Sequence, residues 1–200
     1  MYGSLGYSHH GLEDLAAIRA LPGMRVLSPA DPEELTDCVN AFLEKPSPTY
    51  LRLGRFAGVS LGLPAQGDLA PRLVRPGDDI TILTTGTIAQ TVVEAAQVLS
   101  VDGVSAQVVS VPCLMPLDIE VILGVSASSP ILTVEEHSVS GGLGSAVLEA
   151  LSDRRVSRRV ARHGFNHTSQ LRVGSHQFML TESRLDVQGI VSASRELLVQ

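Results

Sequence analysis

The sequence predicts an α/β protein with a mostly parallel sheet covered by helices on both faces, and three observations lead there. From residue 78 onward, short apolar runs alternate with helical patterns, the order that builds βαβ units. Apolar residues are 44% of the chain, yet aromatics are 4% and tryptophan is absent. The core must therefore be packed from Val, Leu, Ile and Ala, the usual filling of such layers. At 200 residues the chain is long enough to bury a sizeable core.

Taken in order, the first eleven residues carry Gly3, Gly6, Gly11 and the pair His9-His10 and read as loop. Leu12 to Leu21 has helical spacing and ends at Pro22-Gly23. Met24 to Leu27 is a short strand. Asp31-Pro32-Glu33-Glu34 supplies an N-cap and a proline at the first helical position, so a helix is predicted to about Glu44. Thr49 to Leu53 is the next strand. From Gly54 to Gly77 periodicity gives way to recurrent Gly and Pro, which reads as a linker crossing between domains.

The regular alternation follows. Strands are predicted at Ile80–Thr84, Ala106–Val111, Ile131–Val134 and Val160–His163. Helices are predicted at about Thr87–Leu99, after an Asp118 cap, from Gly141-Gly142-Leu143-Gly144 to Leu151, and from an Asp186 cap to Leu198. A turn through Pro112 and Pro116 and an irregular stretch after His163 complete the reading. Right-handed crossovers leave few topologies for this order.

Charge and cysteine usage exclude several functions. The formal net charge is −6, which argues against a nucleic-acid or anionic-membrane partner. Lys45 is the only lysine among 15 basic residues. The cluster Arg154, Arg155, Arg158, Arg159 and Arg162 reads as a helix end favoured by the helix dipole. Cys38 and Cys113 fit neither a disulfide framework nor a metal site. No run approaches the ~20 apolar residues of a membrane span. With no signal peptide at the start, a cytoplasmic protein is expected.

Four stretches in fixed order resemble the transketolase-type, thiamine-diphosphate-dependent enzymes. They are Gly6-Tyr7-Ser8-His9-His10-Gly11-Leu12-Glu13-Asp14 running into Ile18–Pro22; Val26–Asp31; Thr49-Tyr50-Leu51-Arg52-Leu53-Gly54-Arg55; and Thr133-Val134-Glu135-Glu136-His137 with Gly141–Ser145. The resemblance implies three sections. Residues 1–56 are the C-terminal part of a pyrimidine-binding domain, 57–77 a linker, and 78–200 a three-layer α/β/α transketolase C-terminal domain. The likeness is strongest to the C-terminal subunit of split transketolases, which implies two-carbon ketol transfer between sugar phosphates.

The resemblance also implies site roles. His9 matches the motif histidine that reaches the substrate, and an imidazole suits proton transfer near neutral pH. His10 lies beside it as a substrate contact. Arg55 matches the arginine that binds the substrate phosphate, a task that suits a guanidinium fork. Arg52, earlier on the same strand, is a further substrate contact. Leu5 and Tyr7 depart from the family pattern. No residue matches the family's cofactor-activating glutamate or its ring-stacking aromatic side chain, and none forms a metal site. Thiamine diphosphate and Mg²⁺ are therefore expected to be held by an N-terminal transketolase subunit, within a homo- or hetero-oligomer. The chain is not expected to act alone. Two further functions stay open: a 2-oxoacid dehydrogenase β component or deoxyxylulose-phosphate synthase relative, and a non-catalytic truncated assembly subunit.

Motif residues outside these roles have plainer readings. Gly142-x-Gly144 lacks the third glycine of a dinucleotide fingerprint and is read as a tight turn. Thr85-Gly86-Thr87 is a strand-to-helix turn able to offer N–H groups to an anion. His137 is read as a capping or packing residue.

Overall fold

The computed structural model describes residues 5, 6, 9, 11–54, 58–126, 128–165 and 173–199. Eight strands and seven α-helices are assigned among them. The larger sheet joins β3 (Arg72–Arg75), β4 (Ile80–Thr85), β5 (Ala106–Ser110), β7 (Ile131–Ser138) and β8 (Val160–Phe165) in the order β3-β5-β4-β7-β8. All neighbours are parallel except β3, which runs antiparallel to β5 at the edge. Every residue of β4, β5 and β7 is buried, as expected where helices cover both faces.

Side-chain alternation divides the core in two. Ile82, Val108 and Val134 pack with Val92 and Leu99 of α3 (Ala89–Val101) and Ile190 of α7 (Val187–Val199). On the opposite face, Leu83, Val109 and Ile131 pack with Ile122 of α4 (Ile119–Ser126) and Val147 of α5 (Leu143–Asp153). The three-layer α/β/α arrangement is thus present. From β4 the chain moves outward to β5, then returns across to β7. This places a topological switch point between β4 and β7, and a crevice opens at their carboxyl ends.

A smaller sheet of order β2-β1-β6 lies beside that crevice. β1 (Arg25–Leu27) pairs parallel with β2 (Thr49–Leu51) through α2 (Pro32–Glu44), whose Asp31 cap accepts from the Glu34 N–H at 2.8 Å. β6 (Cys113–Met115) pairs antiparallel with β1 and comes from the stretch read as a turn. Three residues between Pro112 and Pro116 are too few to show periodicity, which hides this strand in the sequence. α1 is shorter than its pattern, Asp14–Arg19, and buries Leu15 in the same cluster as Leu83.

The stretch expected to be a linker is fastened down. Asp31 Oδ2 accepts from the Leu61 N–H, while the two Asp37 oxygens accept from Gln66 and Gly67. Arg72, the first residue of β3 and buried near Asp31 and Glu34, donates to the Pro64 carbonyl. Bonds from side chain to irregular backbone leave no periodic trace in sequence. The irregular stretch after β8 likewise contains α6 (His176–Glu182), capped by Ser175. At seven residues it spans barely two turns, too short for a pattern to emerge.

Candidate functional site

A cavity of about 400 Å³ occupies the crevice at the switch point. Its floor is the end of β4 with Thr85, Gly86 and Thr87, and Glu136 comes from β7. The N-terminal segment contributes His9, Asp14, Tyr50 and Arg52. Tyr50 and Arg52 are two apart, so an extended backbone sends them to one side.

Backbone bonds carry the N-terminal segment to the site. Ser138 at the end of β7 donates to the Leu12 carbonyl at 2.8 Å, with Leu12 fully buried. The His9 N–H donates to the Gly6 carbonyl at 2.9 Å. Arg19 of α1 donates to the Gly141 and Gly142 carbonyls at 2.5 and 3.2 Å and pairs with Glu149 on α5. Leu12 and Arg19, which follow His9 in the chain, are therefore fastened to β7 and α5.

One hydrogen-bonded network lines the wall. Asp14 Oδ2 accepts from the Tyr50 hydroxyl at 2.7 Å and from Arg52 Nε at 2.9 Å. Arg52 Nη1 donates to the Glu136 carbonyl at 3.0 Å. Burial, and then the bond to Asp14, push the Tyr50 hydroxyl up to about 12, so it stays a proton donor. The Glu136 carboxylate lies 3.0 Å from His176 Nε2. Burial raises that carboxyl, but the His176 bond and nearby positive charge outweigh it and hold Glu136 below its usual range.

Behind the wall, Glu135 caps α5. Its oxygens accept from Leu143 and Gly144 N–H at 2.7 and 3.0 Å, and burial still lifts its pKa to about 7. His137 Nδ1 lies 2.8 Å from the Ser138 carbonyl, a bond only an N–H makes. Nε2 is left to accept from the Ala16 N–H at 3.4 Å, and burial depresses the ring's pKa. His137 is thus a packed, neutral histidine. Gly142 fits only because it has no Cβ, which would stand 1.8 Å from Glu135 Oε2.

Of the residues singled out in sequence, His9 and Arg52 meet in this cavity. His10 and Arg55, with the departing Tyr7, lie outside the described residues. The Thr85–Thr87 turn lines the floor, but the Gly86 N–H is taken by the Ser28 carbonyl at 3.0 Å. Asp14, Tyr50 and Glu136 stand inside the motif stretches, yet nothing in their local sequence marks a role. Partnership across 36 or more residues has no local signature. His176 has no motif at all. Cys38 and Cys113 are free and buried, and burial first of all pushes their thiols up to about 12 and about 11, away from reactive thiolates. Arg154 pairs with Glu120 at the end of α5, in line with a structural reading of the basic cluster.

The wall offers donors and acceptors in balance, a surface for a small polyhydroxyl compound. It does not form a cradle for a metal-bound diphosphate. Among the described residues no group of three His, Cys, Asp or Glu can hold a metal, and Arg52 is already paired. Also among them, no helix is long and apolar enough to cross a membrane.

Fold and site together define a doubly wound α/β domain whose switch-point crevice is completed by a second α/β segment. Residues 1–58 match the transketolase pyrimidine binding domain, and residues 70–190 match the transketolase C-terminal domain. The chain belongs to the transketolase family. It is 35% identical over 204 residues to 1-deoxy-D-xylulose-5-phosphate synthase 2 of Geobacter sulfurreducens, a match covering 98% of this chain and 32% of that protein. It is 31% identical over 201 residues to one subunit of the apulose-4-phosphate transketolase of Phocaeicola vulgatus, covering 98% of this chain and 64% of that one. A solved split-gene transketolase, an inactive beta4 tetramer, superposes with a TM-score of 0.88 at 34% identity, covering 97% of this chain and 64% of that chain. The chain thus spans about a third to two thirds of the length of these relatives.

Proposed function

We propose that this chain is the C-terminal component of a split transketolase that moves a two-carbon ketol unit between sugar phosphates. The observation that carries this reading is the polar cavity where His9 and Arg52, from one segment, meet Thr87 and Glu136, from the other. In the reading, His9 contacts the substrate and manages hydroxyl protons, with His10 beside it. Arg52 and Arg55 bind the substrate's oxygens and phosphate, respectively. The section boundaries 1–56, 57–77 and 78–200 belong to the same reading.

Thiamine diphosphate supplies the carbon–carbon bond chemistry in this proposal, with Mg²⁺ on its diphosphate. The described residues do not fit that group, so its binding is assigned to an N-terminal partner subunit, in the cytoplasm. The Phocaeicola relative is one subunit of a transketolase and the solved relative is a split-gene tetramer, which favours a partner and an oligomer. The test is reconstitution: the chain is mixed with an N-terminal transketolase subunit, thiamine diphosphate, Mg²⁺ and a ketose phosphate. Turnover is expected only from the mixture, and His9→Ala should lower it at least about 100-fold. No turnover with a partner that binds the chain and the cofactor would defeat the proposal.

The Geobacter relative favours a second reading, synthesis of a deoxyxylulose phosphate. Supplying the same mixture with a 2-oxoacid and an aldose phosphate separates the two.

A further inference from the structure

Among the described residues, Asp14 makes both of its side-chain hydrogen bonds through one oxygen. Oδ2 accepts from Tyr50 and from Arg52 Nε, and Tyr50 thereby fixes the carboxylate that fixes the guanidinium. The Glu136 carbonyl holds Nη1 from the far side of the cavity. Arg52 is gripped at two nitrogens by groups on α1 and β7, so its plane cannot turn without breaking both bonds. Nη2 makes no hydrogen bond among the described residues, and it is the nitrogen left for a ligand.

The same contacts set the charge. The Asp14 carboxylate, 2.9 Å from Nε, offsets the guanidinium, while the Glu136 carboxylate is taken up by His176 at 3.0 Å. A phosphate at this end would face a cation that Asp14 already compensates, an unfavourable balance for a charged ligand. A hydroxyl or carbonyl oxygen meets a fixed donor with no charge to repel it.

We propose that Asp14 is a positioning residue that aims Arg52 and cancels its charge, so that Arg52 takes a neutral oxygen of the substrate while the phosphate binds elsewhere. This rests on the reading that a sugar phosphate enters the cavity.

The test is side-chain arginine NMR on the full chain, with the Arg52 Nε–H signal assigned by its loss in Arg52→Lys. In the native chain that signal is expected to be protected from exchange, to shift with xylitol, and to ignore inorganic phosphate at matched ionic strength. In Asp14→Asn, xylitol should bind at least about tenfold more weakly, the worth of one hydrogen bond to a charged group, and phosphate should begin to shift the signal. Tyr50→Phe removes one bond to Oδ2 and leaves the charges, so it should loosen the signal without gaining a phosphate response. A purely structural Asp14 would not exchange one ligand preference for another. A native signal that is unprotected, follows phosphate, or is moved by neither probe overturns the proposal, as does an Asp14→Asn signal that responds like the native one. Reconstitution without turnover, alongside the expected NMR response, would sink the functional reading and leave the role of Asp14 standing.

Discussion

Glu135 ends its strand with the whole side chain inside the protein and both oxygens on the first N–H groups of α5. The partial positive charge of a helix N-terminus favours the carboxylate, yet desolvation wins and the pKa rises from 4.5 to about 7. His137 Nδ1 faces it at 3.7 Å, and the charges of Arg52 and Arg19 temper the rise. The sign follows from proton counting. Between pH 4.5 and 7 the folded chain keeps a proton that the unfolded chain has lost, so Glu135 costs stability as pH rises through that window and no more above it. His137 works the other way, because its depressed pKa means the unfolded chain binds a proton below about 6.5 that the folded chain refuses. The two slopes have opposite signs in the native protein. Glu135→Gln should expose the histidine's: in urea titrations across pH, native stability minus variant stability should fall from pH 4.5 to 7 and then level. A flat difference would refute this account of Glu135.

At the scale of elements, glycines show how closely α5 is docked. A Cβ on Gly142 would overlap Glu135 and lie 2.7 Å from His137, whereas one on Gly124, inside α4, would meet nothing within 4 Å. Gly142→Ala should therefore destabilise by about 2 kcal/mol or more, as overpacking does. Gly124→Ala should stabilise by about 0.5–1 kcal/mol by restricting the unfolded chain. Thermal melts moving both variants in one direction would contradict the docking described. The same residues show what was legible in sequence. The Asp31 cap, the Gly141–Gly144 turn and the β4, β5 and β7 runs announce themselves because their causes are local or periodic. β3, β6, α6 and the strap held by Asp31 and Asp37 do not, since short elements give no period and their partners lie far along the chain. The site divides in the same way. Motif likeness picks out His9 and Arg52, but the Asp14–Tyr50–Arg52–Glu136 network exists only once β2, α1 and β7 are brought together.

For the whole molecule, the decisive surface is the outer side of the smaller sheet. Val39, Phe42 and Leu43 sit at helical spacing on α2 and are 40%, 44% and 65% exposed. Beside them runs an apolar groove of about 180 Å³, walled by Phe42, Cys38 and Leu51. β2 is also the edge strand of its sheet, with no partner on its outer side among the described residues. An apolar helix face next to an open strand edge is a surface that water does not stabilise and that association covers. Nothing about β4, β5 or β7 creates such a need, because their faces are closed by α3, α7, α4 and α5. Assembly should therefore run through α2 and leave the switch-point cavity accessible. Sedimentation velocity on the chain alone is expected to show species larger than a monomer. Leu43→Asp, at a largely solvent-facing position, should shift them toward the monomer without lowering the thermal midpoint, and Phe42→Asp should shift them further. A native chain that sediments as a monomer, or a Leu43→Asp variant that associates as the native chain does, would place the interface elsewhere.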